Sequence, residues 1–420
     1  MGAPVAFKDV GTRSEQFDAI VDFAKNSRVD TGFGYLDANG SVDTSKPVEL
    51  WITCRMTHVF SLASIKGDEG AAELAEHGIK ALSRAFLDEE YGGWYSAIGH
   101  SLDPVEVVDG TKAAYAHAFV VLAASSATIA EIPGAAELLE LALTNQDDYW
   151  WEAEHAKVRE SYNREMTETE DYRGVNANMH TVESYLAAFD ATSDMQWLHR
   201  AVAILNWVIN EQAANNDWRI PEHYTTDWEP IPDYNIDKPK DPFRPYGYTP
   251  GHGLEWARLA LHAGAQMARI GESVPRWIRD SAEKLIERAV EDGWDVDGQP
   301  GFVYTTDREG KPVARERMHW VACEAIGAVV TLASAFDGED GFEPSQDKAP
   351  LWGWAEQWWS YCEDNLIEAP GRWWHELDEN NQPSTVTWPG KPDAYHVAQM
   401  LLLPDLPLAP TFALALKQQG

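Results

Sequence analysis

The 420-residue sequence is poor in cysteine and in basic residues. Its three cysteines, Cys54, Cys323 and Cys362, are isolated from one another, so the sequence argues against a disulfide framework and a cysteine metal site. Lysine and arginine number 33 against 68 aspartates and glutamates, which gives a formal charge of −35. Such a charge argues against binding to nucleic-acid phosphates, and we interpret it as a solvated acidic exterior.

Targeting features are missing as well. The first residues contain no basic region followed by an apolar run, so no signal peptide is predicted. Position 6 is Ala6, which does not fit the myristoylation pattern. No apolar run approaches membrane-spanning length on inspection of the sequence. We therefore expect a cytoplasmic protein without membrane or nucleic-acid partners.

The sequence does contain a repeated unit. Helical segments with one polar face alternate with helices that are apolar nearly all round, and helices of the second kind are typically buried. The polar-faced segments are 14–28, 71–88, 135–152, 195–212, 275–292 and 351–368, and the apolar helices start near residues 50, 112, 176, 251, 318 and 393. The unit recurs at intervals of roughly 60–75 residues, which indicates a repeat architecture.

The connections between these helices are rich in glycine and aromatic residues. Stretches such as 32–40, 92–96, 301–307 and 371–378 predict short β-hairpins. Six helical hairpins can close on themselves, whereas an open stack would leave two apolar ends exposed. The sequence therefore predicts an all-α (α/α)6 barrel, a single domain over residues 1–420, with β-hairpins in its mouth loops. The fourth loop, 215–250, is long enough to indicate a functional segment.

Histidines recur at one place in this repeat. Of the 13 histidines, six lie near the starts of the apolar helices: His58, His117, His180, His252, His319 and His396. In a ring of helices those ends surround one mouth, where a pocket is expected. We expect two or three of these histidines to perform chemistry and His58 and His117 to brace the ring, and the role of His319 stays open.

Further polar and aromatic groups share the starts of the apolar helices. They are Trp51, Arg55, Tyr115, Asn176, Glu255, Trp320 and Glu324. Burial of Arg55 would be costly without a partner or a ligand. His252 and Glu255 are three residues apart, so the carboxylate could hold a ring N–H and raise the basicity of the imidazole. His180 and Glu183 repeat this spacing. Such pairs could instead ligate a metal, but no His-Glu-x-x-His run supports that interpretation, and no metal or cofactor is expected.

Five short motifs, taken in order, resemble the N-acylglucosamine 2-epimerase superfamily over about residues 10–410. They are the segments 51–60, 176–180 and 251–256, then Met318-His319-Trp320 with Glu324, and Tyr395-His396. Within the superfamily the likeness is greatest to the branch of bacterial mannose and sulfoquinovose isomerases, which the Arg-Met-Thr-His sequence at 55–58 favours. The resemblance implies a metal-free (α/α)6 barrel that interconverts sugars through an enediol.

The resemblance also implies roles for individual residues. His396 would be the base that moves a proton from C2 to C1 of the sugar. His252, supported by Glu255, would act in ring opening and as a second acid/base. Arg55 and His180 would hold the carbonyl and hydroxyl oxygens. The residues implied to line the pocket are Trp51, Tyr115, Asn176, Trp320 and Glu324.

The resemblance therefore implies an aldose–ketose isomerase for D-mannose and D-fructose, with D-lyxose and D-xylulose as a further pair. One base suffices for isomerisation and two are needed for 2-epimerisation, but His252 and His396 could serve either scheme. A 2-epimerase and a sulfoquinovose isomerase therefore remain alternatives. More distant ones are a glycoside hydrolase, with carboxylates from Glu255, Glu324 or Asp393, and a sugar-binding module without turnover. The sequence leaves the oligomeric state open.

Overall fold

The computed structural model describes residues 7–338, 341–344 and 349–420, and these residues contain 13 α-helices and 15 short strands. The helices are α1 (Val10–Ala24), α2 (Leu50–Ile65), α3 (Glu69–Arg84), α4 (Ala114–Ile129), α5 (Ala135–Asn145), α6 (Val175–Thr192), α7 (Met195–Leu205), α8 (Pro250–Arg269), α9 (Arg276–Gly293), α10 (His319–Phe336), α11 (Ala349–Tyr361), α12 (Tyr395–Leu402) and α13 (Phe412–Gln419). The strands are β1 (Arg28–Val29), β2 (Gly32–Phe33), β3 (Val48–Glu49), β4 (Ala97–Leu102), β5 (Val105–Asp109), β6 (Lys112–Ala113), β7 (Trp151–Glu152), β8 (Lys157–Val158), β9 (Ser161–Tyr162), β10 (Arg173–Gly174), β11 (His223–Tyr224), β12 (Arg317–Met318), β13 (Ile367–Ala369), β14 (Arg372–Trp373) and β15 (Glu376–Leu377).

Burial alternates along the chain as the sequence pattern predicts. In α2 every residue from Leu50 to Ala63 is buried, and α4, α6, α8 and α10 are buried nearly all round. Helix α9, in contrast, buries one stripe that includes Ile278, Ala282, Leu285 and Ala289. A stripe at this spacing lies on one face of a helix, so α9 has an apolar face and a polar one.

The described chain divides into two compact units. Unit A consists of Val21–Ile204, Lys391–Tyr395 and Thr411–Gly420. In it α2 packs against α3 and α4, while α4 packs against α5 and α6, and α13 contacts α2, α4 and α6. Unit A therefore centres on the buried helices α2, α4 and α6.

Unit B consists of the described residues up to Ile20, of Leu205–Gly390 and of His396–Pro410. In it α8 packs against α9 and α10, and α10 packs against α11. Helix α10 is long and apolar enough to span a membrane by length and composition, which corrects the expectation that no run approaches that length. Because 83% of α10 is buried inside the protein, it is a core helix of unit B.

Short antiparallel strand pairs occur at or beside two of the four stretches where the sequence predicts hairpins, whereas 92–96 and 301–307 form isolated β-bridges. Strand β1 pairs with β2 at the start of the predicted stretch 32–40. Strand β13 pairs with β14 at the start of the predicted stretch 371–378. The longest strands, β4 and β5, form a three-stranded sheet with β3. Three of the polar-faced helices differ from the prediction, because α5, α7 and α11 end in π-helical turns over Gln146–Trp150, Asn206–Gln212 and Cys362–Leu366. That the chain forms a single domain stays a prediction.

Candidate active site

Arg55 is a buried cation of unit A with two polar partners. Its Nη1 donates to Oδ2 of Asp393 at 2.8 Å, and its Nη2 donates to the hydroxyl of Tyr115 at 2.9 Å. The guanidinium also lies over the ring of Trp51, one helical turn earlier in α2, at 5.2 Å. Arg55 is 6% exposed, and the pairing with Asp393 supplies the compensation that a buried charge requires. The structure thus brings Arg55, Trp51 and Tyr115 together.

His180 joins the same group from α6. Its ring contacts Tyr115 edge-on at 5.1 Å between centroids, and its Nδ1 lies 3.6 Å from Oε2 of Glu183. Glu183 accepts a hydrogen bond from the hydroxyl of Tyr395. Asn176, one turn before His180, has a buried Oδ1 without a hydrogen-bond partner among the described residues. A buried acceptor of this kind is suited to a hydroxyl donor such as a sugar supplies.

His58 and His117 are each held by a hydrogen bond, and their expected role in bracing the ring stays a prediction. Nδ1 of His58 shares a hydrogen bond of 2.7 Å with Oγ of Ser126, and Nε2 of His117 accepts from the backbone N–H of Trp94. Burial lowers the pKa of His58 to about 4 and that of His117 to about 3. Both rings are therefore neutral and held by hydrogen bonds. His58 lies in the middle of α2, not near its start.

Two histidines of unit B lie near the same tryptophan. The ring centroids of His252 and His396 lie 5.4 and 5.8 Å from that of Trp320. Gly251 makes room for this indole, because an added Cβ would lie 2.6 Å from its Cζ3 atom. His252 and His396, 144 positions apart in the sequence, therefore meet around one aromatic wall.

Each of these histidines is held through Nδ1 by a carboxylate. Nδ1 of His396 donates to Oε1 of Glu324 at 2.8 Å, and Nδ1 of His252 donates to Oε1 of Glu222 at 2.9 Å. An ionised carboxylate can only accept, so it fixes the ring proton on Nδ1. Nε2 is then the basic nitrogen of each ring. Two imidazoles that are held through the same ring nitrogen are suited to proton transfer at a sugar carbon or oxygen.

Glu324 is shared between His396 and an arginine. Nε of Arg258 donates to Oε2 of Glu324 at 2.9 Å, and Nη2 of Arg258 lies 3.7 Å from Oε1 of Glu255. Burial alone would raise the pKa of Glu324, but Arg258 and His396 outweigh burial and lower it. Glu324 is therefore an ionised carboxylate. The sequence predicts that Glu255 accepts the ring N–H of His252. In the structure Glu222 accepts it instead, and Glu255 lies beside Arg258.

Sequence reasoning missed Glu222 and Arg258. Glu222 lies in the long fourth loop, beside a cavity of about 250 Å³ that is lined by Gln212, Asn215, Asn216, Pro221, Glu222, His223, Pro230, Ile231, Pro232, Gly247 and Tyr248. No spacing rule connects it with His252. Arg258 could have been found, since it is a charged residue on an apolar helix, the same signal that identified Arg55. His319, whose role was left open, stacks on His375 at 4.0 Å and lies edge-on to His396 at 6.5 Å.

The chain matches the model of the N-acylglucosamine 2-epimerase (GlcNAc 2-epimerase) family over residues 32–400. It is similar to the D-mannose isomerase of Pseudomonas cannabina pv. alisalensis, with 44% identity over 94% of this chain and 92% of the relative. It is also similar to the D-mannose isomerase of Thermobifida fusca, with 45% identity over 96% of this chain and 95% of the relative.

A solved structure shares the architecture. A crystal structure of a D-mannose isomerase superposes with a TM-score of 0.85 at 26% sequence identity, covering 96% of this chain and 99% of that one. The predicted fold class, an (α/α)6 barrel, is confirmed by this likeness.

Proposed function

Because the chain belongs to the N-acylglucosamine 2-epimerase family, we propose that it is an aldose–ketose isomerase interconverting D-mannose and D-fructose, with D-lyxose and D-xylulose as a further pair. The observation that carries this proposal is the 44–45% identity to D-mannose isomerases over nearly the whole chain. The two Nδ1-anchored imidazoles around Trp320 supply chemistry that suits it. We also propose a cytoplasmic enzyme that needs no metal.

The reaction moves one proton between neighbouring carbons. A base removes the proton from C2 of the open-chain aldose, and the electrons of the C–H bond form the C1–C2 double bond of an enediol while the C1 carbonyl oxygen takes up a proton. The C2 hydroxyl then loses its proton as the C2 carbonyl forms, and the base returns a proton to C1. A base with a pKa near neutrality can perform both transfers, which favours an imidazole.

His396 is assigned as this base. Its Nδ1 proton is held by Glu324, so Nε2 is the nitrogen that accepts the C2 proton. When the ring becomes an imidazolium, the ionised Glu324 at 2.8 Å stabilises the new charge. The carboxylate therefore fixes the tautomer before the transfer and favours the charged ring afterwards.

His252 is assigned to ring opening, because opening a pyranose moves a proton from the C1 hydroxyl to the ring oxygen. Because Glu222 holds Nδ1 of His252, the imidazole can accept and return that proton through Nε2. Trp320, which lies beside both histidines, offers an apolar face suited to the C–H face of a sugar.

Arg55 is assigned to the oxygens of the substrate. Loss of a proton from carbon leaves negative charge on the former carbonyl oxygen, and a fixed guanidinium stabilises that charge. Asp393 and Tyr115 hold the guanidinium in place, so little reorganisation is needed when the charge forms. We assign His180, Asn176 and Trp51 to substrate binding in the same part of unit A.

A 2-epimerase is the second candidate, since two histidines beside one indole could act on opposite faces of C2. A hydrolase that uses Glu324 as its general acid is disfavoured, because Arg258 and His396 keep this carboxylate ionised.

The deciding experiment incubates the enzyme with D-mannose in D2O and identifies the products by NMR. We expect fructose with deuterium at C1. Glucose as the main product would instead identify an epimerase, and no conversion across a panel of free aldoses would refute both.

A further inference from the structure

Arg258 connects two carboxylates inside unit B. It lies on α8 two turns after His252 and is 1% exposed. Its Nε donates to Glu324 at 2.9 Å, and its Nη2 lies 3.7 Å from Glu255. The ring of His396 is hydrogen-bonded to the other oxygen of Glu324. Arg258, Glu324 and His396 therefore form a continuous chain from a buried cation to the assigned base.

The positive charge of Arg258 affects the protonation of the ionisable groups around it. Within unit B the ionisable groups around it are Glu255 on α8, Glu324 on α10 and His396 on α12, with His319 6.5 Å from His396. The next turn of α8 adds His262, whose Nδ1 donates to the backbone carbonyl of Leu408. A buried carboxylate in such a group takes up a proton readily unless a cation opposes the change.

We propose that Arg258 is a positioning residue for catalysis, whose positive charge disfavours an extra proton on the hydrogen-bonded Glu324–His396 pair and so leaves the pair able to accept one from the substrate. This inference rests on the proposed function, because it assumes that His396 is the base. Its physical core, the effect of Arg258 on the protonation of the Glu324–His396 pair, does not depend on any substrate.

Glu324 and His396 share their protons, so they titrate as a pair. In the working state the pair carries the Nδ1 proton and a negative carboxylate. One further proton inactivates it, whether that proton lies on the carboxylate or on Nε2. The cation beside Glu324 disfavours the extra proton in both places. Without Arg258 the pair keeps that proton to a higher pH, and a smaller fraction of the enzyme is active at neutral pH.

The test compares pH profiles of kcat/KM for the wild type, Arg258→Met, Arg258→Gln and Arg258→Lys. In the methionine and glutamine variants we expect the acidic limb to move to higher pH by about one unit or more. The lysine variant keeps the charge, so its limb should return to within about half a unit of the wild-type position. Should Arg258→Met fail to fold, Arg258→Gln replaces it, since its amide can still donate to Glu324.

Arg317→Met is the matched control. Arg317 is also 1% exposed in unit B, and its Nη2 is paired with Asp297 at 2.6 Å. Its replacement should lower the melting temperature without moving the acidic limb. A purely structural role for Arg258 would give the same result as this control, and an unmoved limb in Arg258→Met or Arg258→Gln would overturn the proposal.

A second readout requires no turnover. The Cε1–H signal of His396 is identified by its loss in His396→Gln and is then followed by NMR against pH without substrate. We expect the midpoint of the pair to rise by about one unit or more in Arg258→Gln. If the wild type converts no aldose, the proposed function fails while this titration still decides the role of Arg258. An unchanged midpoint would refute that role even in an active isomerase.

Discussion

Nδ1 of His252 lies 2.9 Å from Oε1 of Glu222, a residue 30 positions earlier in the long fourth loop. The sequence predicts Glu255 in this place, since a spacing of three residues puts it on the same helix face. In the structure Glu255 lies beside Arg258 at 3.7 Å, and the loop brings Glu222 to the imidazole. The fourth loop therefore has a defined role, which is to supply the carboxylate that orients His252.

Glu222→Gln should lower kcat by about 10- to 100-fold, a range taken from carboxylates that orient metal-binding histidines in the same way. The amide oxygen can still accept from Nδ1, but it carries no charge to favour the imidazolium. Steady-state kinetics with D-mannose measures the effect. Glu316→Gln is the control, because Glu316 is another buried glutamate of unit B, paired with Lys240. Equal kcat values for both variants would remove Glu222 from the mechanism.

Helix positions could be predicted because burial follows the apolar pattern residue by residue. The apolar helices expected near residues 50, 251 and 318 begin at Leu50, Pro250 and His319. The π-helical ends of α5, α7 and α11 could not be predicted, since they change the hydrogen bonding of the backbone without a change in the apolar periodicity.

The part of the candidate site that could be predicted consists of residues that share one position in the repeat. Trp320, His252 and His396 meet because each begins or nearly begins an apolar helix. The partners of these residues were not predictable in the same way. Asp393 pairs with Arg55 across 338 positions, and no local pattern encodes such a contact. Local periodicity therefore identifies the groups of the candidate site, while tertiary structure decides which carboxylate pairs with which of them.

Arg55→Lys should lower kcat by about 100-fold, the effect of removing one donor from a developing oxyanion. One ammonium cannot reproduce a planar fork that contacts Asp393 and Tyr115 at once. The measurement is kcat and KM for D-mannose. Arg13→Lys is the matched control, because Arg13 is 3% exposed and pairs with Asp405. A wild-type kcat in Arg55→Lys would contradict the assigned role.

His396→Gln should reduce kcat by about 100- to 10,000-fold, the range that general-base catalysis contributes. The control is His117→Gln, which alters a buried histidine whose ring nitrogens contact only the backbone atoms of Trp94 and Ala113 in the hydrogen bonds observed. That variant should lose stability but keep its turnover when assayed below its melting temperature. Activity near the wild-type level in His396→Gln would assign the base to another residue.

Metal removal should leave the activity unchanged. His180 and Glu183 are a pair that could bind a cation, but Glu183 already accepts a hydrogen bond from Tyr395. The enzyme is dialysed against EDTA, its metal content is measured, and turnover is compared before and after. Strong inhibition that a single divalent ion reverses would show that the proposed chemistry is incomplete.

Protein stability should depend on pH through His117. Burial lowers the pKa of this ring from 6.5 to about 3, so it stays neutral in the folded protein at pH 5. In the unfolded chain the ring takes up a proton below pH 6.5, and the unfolded state then binds more protons. The free energy of unfolding is therefore greatest above pH 6.5 and falls by about 2 kcal/mol between pH 7 and pH 5 through this group. His58, with a pKa of about 4, acts in the same direction.

Glu49 acts in the opposite direction. Burial and the nearby Asp109 raise its pKa from 4.5 to about 7, so the folded state binds the extra proton at pH 5, and this stabilisation is lost as pH rises through 7. Urea unfolding at pH 5 and pH 7 separates the two contributions. The quantity compared is the free energy of unfolding at pH 5 minus that at pH 7. His117→Gln should raise this difference by about 2 kcal/mol above the wild-type value, and Glu49→Gln should lower it by a similar amount. A pH dependence that is unchanged in His117→Gln would mean that folding does not lower the pKa of this histidine.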